Sequence, residues 1–137
     1  MSAYQELSQR LNDEANESKR RYEALARAAS AIGEAIVEYL DVPADRLHYQ
    51  LDAGEFKFGP PAVARRKMDL TISFKDSTGT EVHAFQTSIT LESNGHSVQA
   101  SLSGYPGGFM VVSGGPGMQS ITEALERGMR ESMPWEK

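Results

Sequence analysis

The chain has 137 residues, 39% of them hydrophobic and 24% charged, with a formal net charge of −5 and no cysteine. That length fits one domain and that composition an ordinary soluble globular chain rather than a disordered or fibrous one. It also excludes disulfides, thiol catalysis and thiolate zinc sites. The longest apolar run, Phe109 to Val112, falls far short of the ~18 residues of a membrane-spanning helix.

No secretory signal is evident, since Met1-Ser2-Ala3-Tyr4-Gln5-Glu6 has no basic stretch leading into an apolar one. A cytoplasmic protein is therefore expected. Two short basic clusters, Lys19-Arg20-Arg21 and Arg65-Arg66-Lys67, stand in an acidic background. Nucleic-acid binding draws most of its affinity from clustered cations and is not indicated here.

The first forty residues read as helix. Ser2 with Gln5 has the form of a capping box. Tyr4, Leu7, Leu11, Ala15, Ser18, Tyr22, Leu25, Ala29, Ile32, Ile36 and Tyr39 then follow at steps of three or four. Pro43 ends the pattern. A helix from Ser2 to Leu40 is ~58 Å long, whereas a compact chain of this size is roughly 37 Å across. Either the helix breaks at Asn12-Asp13-Glu14-Ala15-Asn16, where propensity is poorest, or its end overhangs the domain and packs on another chain.

From Arg46 the hydrophobic period becomes two. Leu47, Tyr49 and Leu51 pair with Phe56 and Phe58 across a turn at Ala53-Gly54, Leu51 opposite Phe56 and Tyr49 opposite Phe58. A two-residue turn at Thr78-Gly79 sets Ile72 opposite Phe85, Leu70 opposite Thr87 and Met68 opposite Ile89. Asn94-Gly95 pairs Leu91 with Val98, Ile89 with Ala100 and Thr87 with Leu102. All three registers keep the apolar residues on one face, and a one-residue slip would reverse every side chain. A sixth strand, Phe109 to Ser113, is apolar on both faces and is expected to be central or covered on both sides.

A second helix is expected over 120–133, opened by the capping box Ser120-Ile121-Thr122-Glu123 and closed by Pro134. Its stripe is Ile121, Ala124/Leu125, Gly128/Met129 and Ser132/Met133. The predicted fold is α+β, one domain over 1–137: a long N-terminal helix, continuous or broken (1–40), an antiparallel meander of about six strands (46–113), and a C-terminal helix (120–133) packed on the apolar face.

Six of the twelve glycines fall between Gly104 and Gly117. A strand, then Gly114-Gly115-Pro116-Gly117, then a helix beginning near Ser120 is an arrangement that binds anions through backbone amides and the helix dipole. It is not a Walker A loop, because Gln119-Ser120 replaces the Lys-Ser/Thr pair, and Ser120 replaces the third glycine of a dinucleotide fingerprint. Tight cornering between strand and helix explains the glycines equally well. Arg65 and Arg66, in the basic loop after Pro60-Pro61, are the cations that would complete such a ligand site.

His48, His83 and His96 occupy three separate predicted locations, so no metal site or catalytic dyad is assembled. Asp13-Glu14, Asp52 and Glu55 are ordinary surface acids, and Ser113 lacks a nucleophile elbow. No catalytic residue, metal or cofactor is expected.

The face of the sheet turned from the apolar side carries Thr71, Ser73, Gln86, Ser88, Thr90, Gln99, Ser101 and Ser103, almost all uncharged. Such a surface loses little hydration energy on contact and suits a protein partner, although a merely solvated face has the same composition. Trp135 is either a plug for the domain's own core or an interface anchor. The expected function is a small non-enzymatic interaction protein of adaptor or inhibitor type. It self-associates, as a dimer first, through Tyr4, Leu7, Leu11 and Tyr22, and binds a protein partner through the uncharged face and Trp135. The alternative is a sensor or sequestering protein for an anionic or nucleotide-like molecule at Gly114, Gly115, Gly117, Ser120, Arg65 and Arg66. An enzyme using His83 is the weakest reading.

Overall fold

The computed structural model describes residues 2–57, 62–93, 97–102, 109–111 and 116–135, with backbone alone at 109–111 and 116. The helix α1 (Ala3–Tyr39) is followed by a short 3-10 turn (Ala44–Arg46). Six strands come next, β1 (Leu47–Leu51), β2 (Glu55–Lys57), β3 (Val63–Lys75), β4 (Glu81–Ser93), β5 (Val98–Leu102) and β6 (Phe109–Val111), and α2 (Pro116–Ser132) closes the fold. The fold is α+β, as expected, with an antiparallel sheet ordered β1-β3-β4-β5-β6 and β2 also paired with β3.

α1 is one continuous helix of 37 residues, about 55 Å long. The expected break does not occur. Local side-chain interactions carry the helix through its weak stretch: Gln9 Nε2 donates to Asp13 Oδ1 at 2.9 Å, Arg10 pairs with Glu14 at 3.6 Å, and Arg21 pairs with Glu17 at 2.5 Å. The capping box forms: Gln5 N donates to Ser2 Oγ at 3.2 Å and Ser2 N to Gln5 Oε1 at 3.1 Å. At the other end Asp41 takes the left-handed conformation (φ 53°) just past the Leu40 cap, where a short polar side chain is tolerated.

β3 and β4 pair in the expected register, Ile72 with Phe85, Leu70 with Thr87 and Met68 with Ile89. The turn itself differs. Gly79 N donates to Asp76 O and Asp76 N to Thr80 O, so the loop is Ser77-Thr78-Gly79 with Gly79 at φ 86°. The register shift between Phe74 and Lys75 restores the predicted pairing.

Three expectations about the sheet fail. β1 and β2 do not form a hairpin, so neither Leu51 opposite Phe56 nor Tyr49 opposite Phe58 holds. Leu51 faces Met68, Tyr49 faces Leu70 and Phe56 faces Ala64, while Phe58 lies outside the described residues. The two strands run consecutively along one edge of β3. Between them Asp52 N donates to Lys67 O at 3.0 Å and Lys67 N to Asp52 Oδ1 at 2.9 Å, a side chain standing in for the missing backbone acceptor. β4 and β5 pair two residues away from the expected register, Leu91 with Ala100 and Ile89 with Leu102, because four residues rather than two connect Ser93 to Val98. A shift of two preserves the face. Among the described residues β6 lies at the sheet edge, paired with β5, which overturns the central placement of the two alternatives.

Both helices cover the same sheet face. Leu25, Ala29, Ile32 and Ile36 of α1 meet Met68, Leu70 and Ile72 of β3, Ile89 and Leu91 of β4, and Ala100 and Leu102 of β5, with Ile121 and Leu125 of α2 beside them. α2 starts at Pro116, four residues before the expected Ser120. Ser120 therefore lies within the helix and is not its cap, and proline occupies the first helical position, where its missing amide costs nothing.

Gly54 fixes the junction between β1 and β2. Its φ is 83°, and a Cβ there would lie 2.7 Å from Arg66 Cγ, 2.8 Å from the Arg65 carbonyl oxygen and 3.0 Å from Tyr22 Cε1. Gly54→Ala is expected to cost about 1–3 kcal/mol through backbone strain and this contact, read as a lower urea midpoint with unchanged slope.

The β3–β4 loop gives a pH prediction. Asp76 accepts from Thr78 Oγ1 at 2.5 Å, from Thr80 N at 3.1 Å and from Thr78 N at 2.9 Å, and these bonds hold its carboxyl below the usual aspartate value. A carboxyl depressed in the folded state stabilises above its unfolded-chain pKa, and that contribution is lost as pH falls through the folded-state value. Asp76→Asn should therefore lower Tm at neutral pH by an amount that shrinks in acid. A difference between variant and wild type that stays constant with pH would contradict this origin.

Candidate functional site

The body holds α1 only by its C-terminal half. Its first buried residue is Leu25, and ahead of it Tyr4, Leu7 and Leu11 are 79%, 61% and 67% exposed. Where the free segment meets the sheet, Tyr22 stacks obliquely on Phe56 with ring centroids 6.3 Å apart. There Arg21 Nη1 donates to the Ala62 carbonyl at 2.7 Å. Glu17 pairs with both Arg20 and Arg21. Partial burial pushes its carboxyl up, but the Arg21 hydrogen bond and the two guanidinium charges outweigh this and hold it below the usual glutamate value.

Beside Tyr22 a shallow apolar depression of about 420 Å3 is lined by Ala15, Ser18, Lys19, Tyr22, Glu23, Ala26 and Arg66. Tyr22 was expected in an association surface; Lys19, Glu23, Ala26 and Arg66 were not. The signal for Ala26 is the alternative four-residue step from Tyr22, which the stripe through Leu25 conceals.

Among the described residues no helix covers the other sheet face. Thr71, Ser73, Ser88 and Thr90 are half-buried on it, and Gln86, Gln99 and Ser101 are exposed; Ser103 lies outside the described residues. The face is less neutral than its sequence pattern implies, because alternation also places Arg65, Lys67, Asp69 and Glu92 on it. Arg65 Nη2 pairs with Glu92 at 2.9 Å, Lys67 with Asp69 at 3.9 Å, and Ser88 Oγ donates to Asp69 Oδ1 at 2.9 Å. The uncharged patch is thus bordered by ion pairs at the Arg65 end.

Four residues of the expected anion site are described. Gly114 and Gly115 lie outside the described residues, Gly117 is in the first turn of α2, and Ser120 is within that helix. Arg65 and Arg66 leave β3 on opposite faces. Arg65 is engaged by Glu92, and Arg66 Nε donates to the Asp52 carbonyl at 2.9 Å on the helix side.

His83 Nε2 lies 3.2 Å from Ser132 Oγ and its ring is 5.7 Å from that of Phe74, a tie between β4 and the last turn of α2. His48 faces away from the helices at the Thr71 level of the bare face, and His96 lies outside the described residues. Among the described residues no group of three or more His, Asp or Glu could hold a metal ion, and no helix is long and apolar enough to cross a membrane. Trp135 does not plug the core. It is 76% exposed, on the rim of a depression shared with Tyr39, Leu40, Phe74, Met129 and Met133.

The contrast along α1 is measurable. Ile32→Ala, in the buried half, is expected to cost about 2–5 kcal/mol of unfolding free energy. Leu11→Ala should leave the isolated subunit within about 0.5 kcal/mol of wild type, both read from urea unfolding at high dilution. Compared with protein-family models, curated proteins and solved structures, the chain matches none.

Proposed function

We propose that this chain is a non-enzymatic interaction protein of adaptor or inhibitor type, cytoplasmic, which forms a homo-oligomer, a dimer first, through the free segment of α1. The bare sheet face and Trp135 are left for a protein partner. The observation that carries this reading is the unsupported segment of α1: a helix continuous from Ala3, tied to the body from Arg21 and Tyr22 and buried from Leu25 onward, with Tyr4, Leu7 and Leu11 exposed along one stripe. Tertiary packing supplies most helical stability in proteins, and this segment has little of it. An aligned row of large apolar side chains in water marks an association surface more often than a solvated one.

The uncharged part of the sheet face supports the second half of the reading, since hydroxyl and amide side chains are released from water at lower cost than charges. The rival anionic-ligand reading has less support, because Arg65 is engaged by Glu92 and Arg66 points to the other face.

Native mass spectrometry and light scattering of the full chain test self-association. A dimer is expected at micromolar concentration, converted to monomer by Leu7→Lys with Leu11→Lys while the circular dichroism of the body persists. A full-length chain that is monomeric would overturn the proposal.

A further inference from the structure

We infer that the free segment of α1 packs against the same segment of a second copy in antiparallel orientation, with residue i at the level of residue 33 − i and a two-fold axis between Asn16 and Glu17. This rests on the self-association proposed above and specifies its geometry.

The stripe that faces the partner is Tyr4, Leu7, Leu11, Ala15, Ser18, the open side of the half-buried Tyr22, and Ala26, and it runs on to Ala29, which the chain's own sheet covers. Its steps of 3, 4, 4, 3, 4, 4 and 3 read the same in both directions, so an antiparallel two-fold maps the stripe onto itself. Eleven residues over three turns is close to the natural pitch of a helix, and two such stripes stay in contact with little supercoiling. Size is matched at each level. Ala15 and Ser18 flank the axis and let the helices approach closely, Leu11 meets Tyr22, Leu7 meets Ala26, and Tyr4 reaches the level of the buried Ala29 at the margin of the contact. The depression lined by Ala15, Ser18, Lys19, Tyr22, Glu23, Ala26 and Arg66 is then the seat for Leu7 and Leu11 of the second copy. Among the described residues both side chains are left exposed by their own chain.

Charge sets the direction. Residues 3–18 carry Glu6, Asp13, Glu14 and Glu17 against Arg10, and residues 19–30 carry Lys19, Arg20, Arg21 and Arg27 against Glu23. A parallel pair in register would lay the acidic block on itself and the basic block on itself. The antiparallel pair lays acidic on basic. Level by level, Glu6 meets Arg27, Arg10 meets Glu23, Asp13 meets Arg20 and Glu14 meets Lys19, while Glu17 and Arg21 meet Asn16 and Asn12. Most of these are matches of level across the pair rather than contacts. They act as a field that selects orientation and register more than as individual bonds. Sliding one helix by three or four residues either way brings like charges level, such as Glu6 with Glu23 or Arg10 with Arg27.

The absence of cysteine makes the test direct. Leu7→Cys and Ala26→Cys, both at exposed positions, are purified as separate single variants, mixed, allowed to exchange and oxidised, and the linked peptides are identified by mass. The antiparallel register predicts a mixed Leu7/Ala26 link and no Leu7/Leu7 link. A Leu7/Leu7 link without the mixed one shows a parallel pair. A dimer that forms neither link associates through another surface. Either result overturns this inference and leaves self-association standing, whereas a full-length monomer removes both. The double variant carrying both cysteines should form two links per dimer and resist dissociation on dilution; a double variant that still dissociates contradicts the register.

Discussion

Everything in this fold hangs on one packing contact, the buried half of α1 across the apolar face of β3 and β4. Leu25, Ala29, Ile32 and Ile36 supply the helical side, and Met68, Leu70, Ile72, Ile89 and Leu91 the sheet side. At the margin of the contact the helix also approaches β1 closely, where a Cβ on Gly33 would lie 3.1 Å from Tyr49 Cε1. Because only this half is gripped, the remainder of a rigid rod is carried out past the body. The exposed stripe is therefore a consequence of the core's position and needs no separate device to hold it out.

The same contact divides the molecule into two kinds of surface. One side of the sheet is spent on the helices. The other carries hydroxyls, amides and a few cross-strand ion pairs, which hold side chains in place without creating an apolar patch.

How much of this could be read from residues alone depended on how local the determining forces are. The β3–β4 register was legible because Gly79 demands a tight turn and alternation over thirteen-residue strands leaves one solution. Helix continuity through Asn12–Asn16 was not, since propensity there is poor and the outcome depends on side-chain pairs such as Gln9 with Asp13. The β1–β2 arrangement was hidden for a different reason. Ala53-Gly54 looks like a hairpin turn, but Asp52 uses its carboxylate to bridge to Lys67 and the chain runs straight on along β3. At the candidate site the exposed Tyr4, Leu7 and Leu11 were visible in the stripe. The groove that Ala26 and Arg66 complete was not, because it needs β3 beside the helix.

The interruption at Asp52–Gly54 has an effect on what other molecules can do to this sheet. An uninterrupted edge strand offers a ladder of free amides and carbonyls on which a foreign strand can grow. Here the edge is cut into pieces of five and three residues, with a positive-φ glycine and a carboxylate at the cut. A strand arriving along that edge finds no continuous run to copy, which opposes sheet growth from that side.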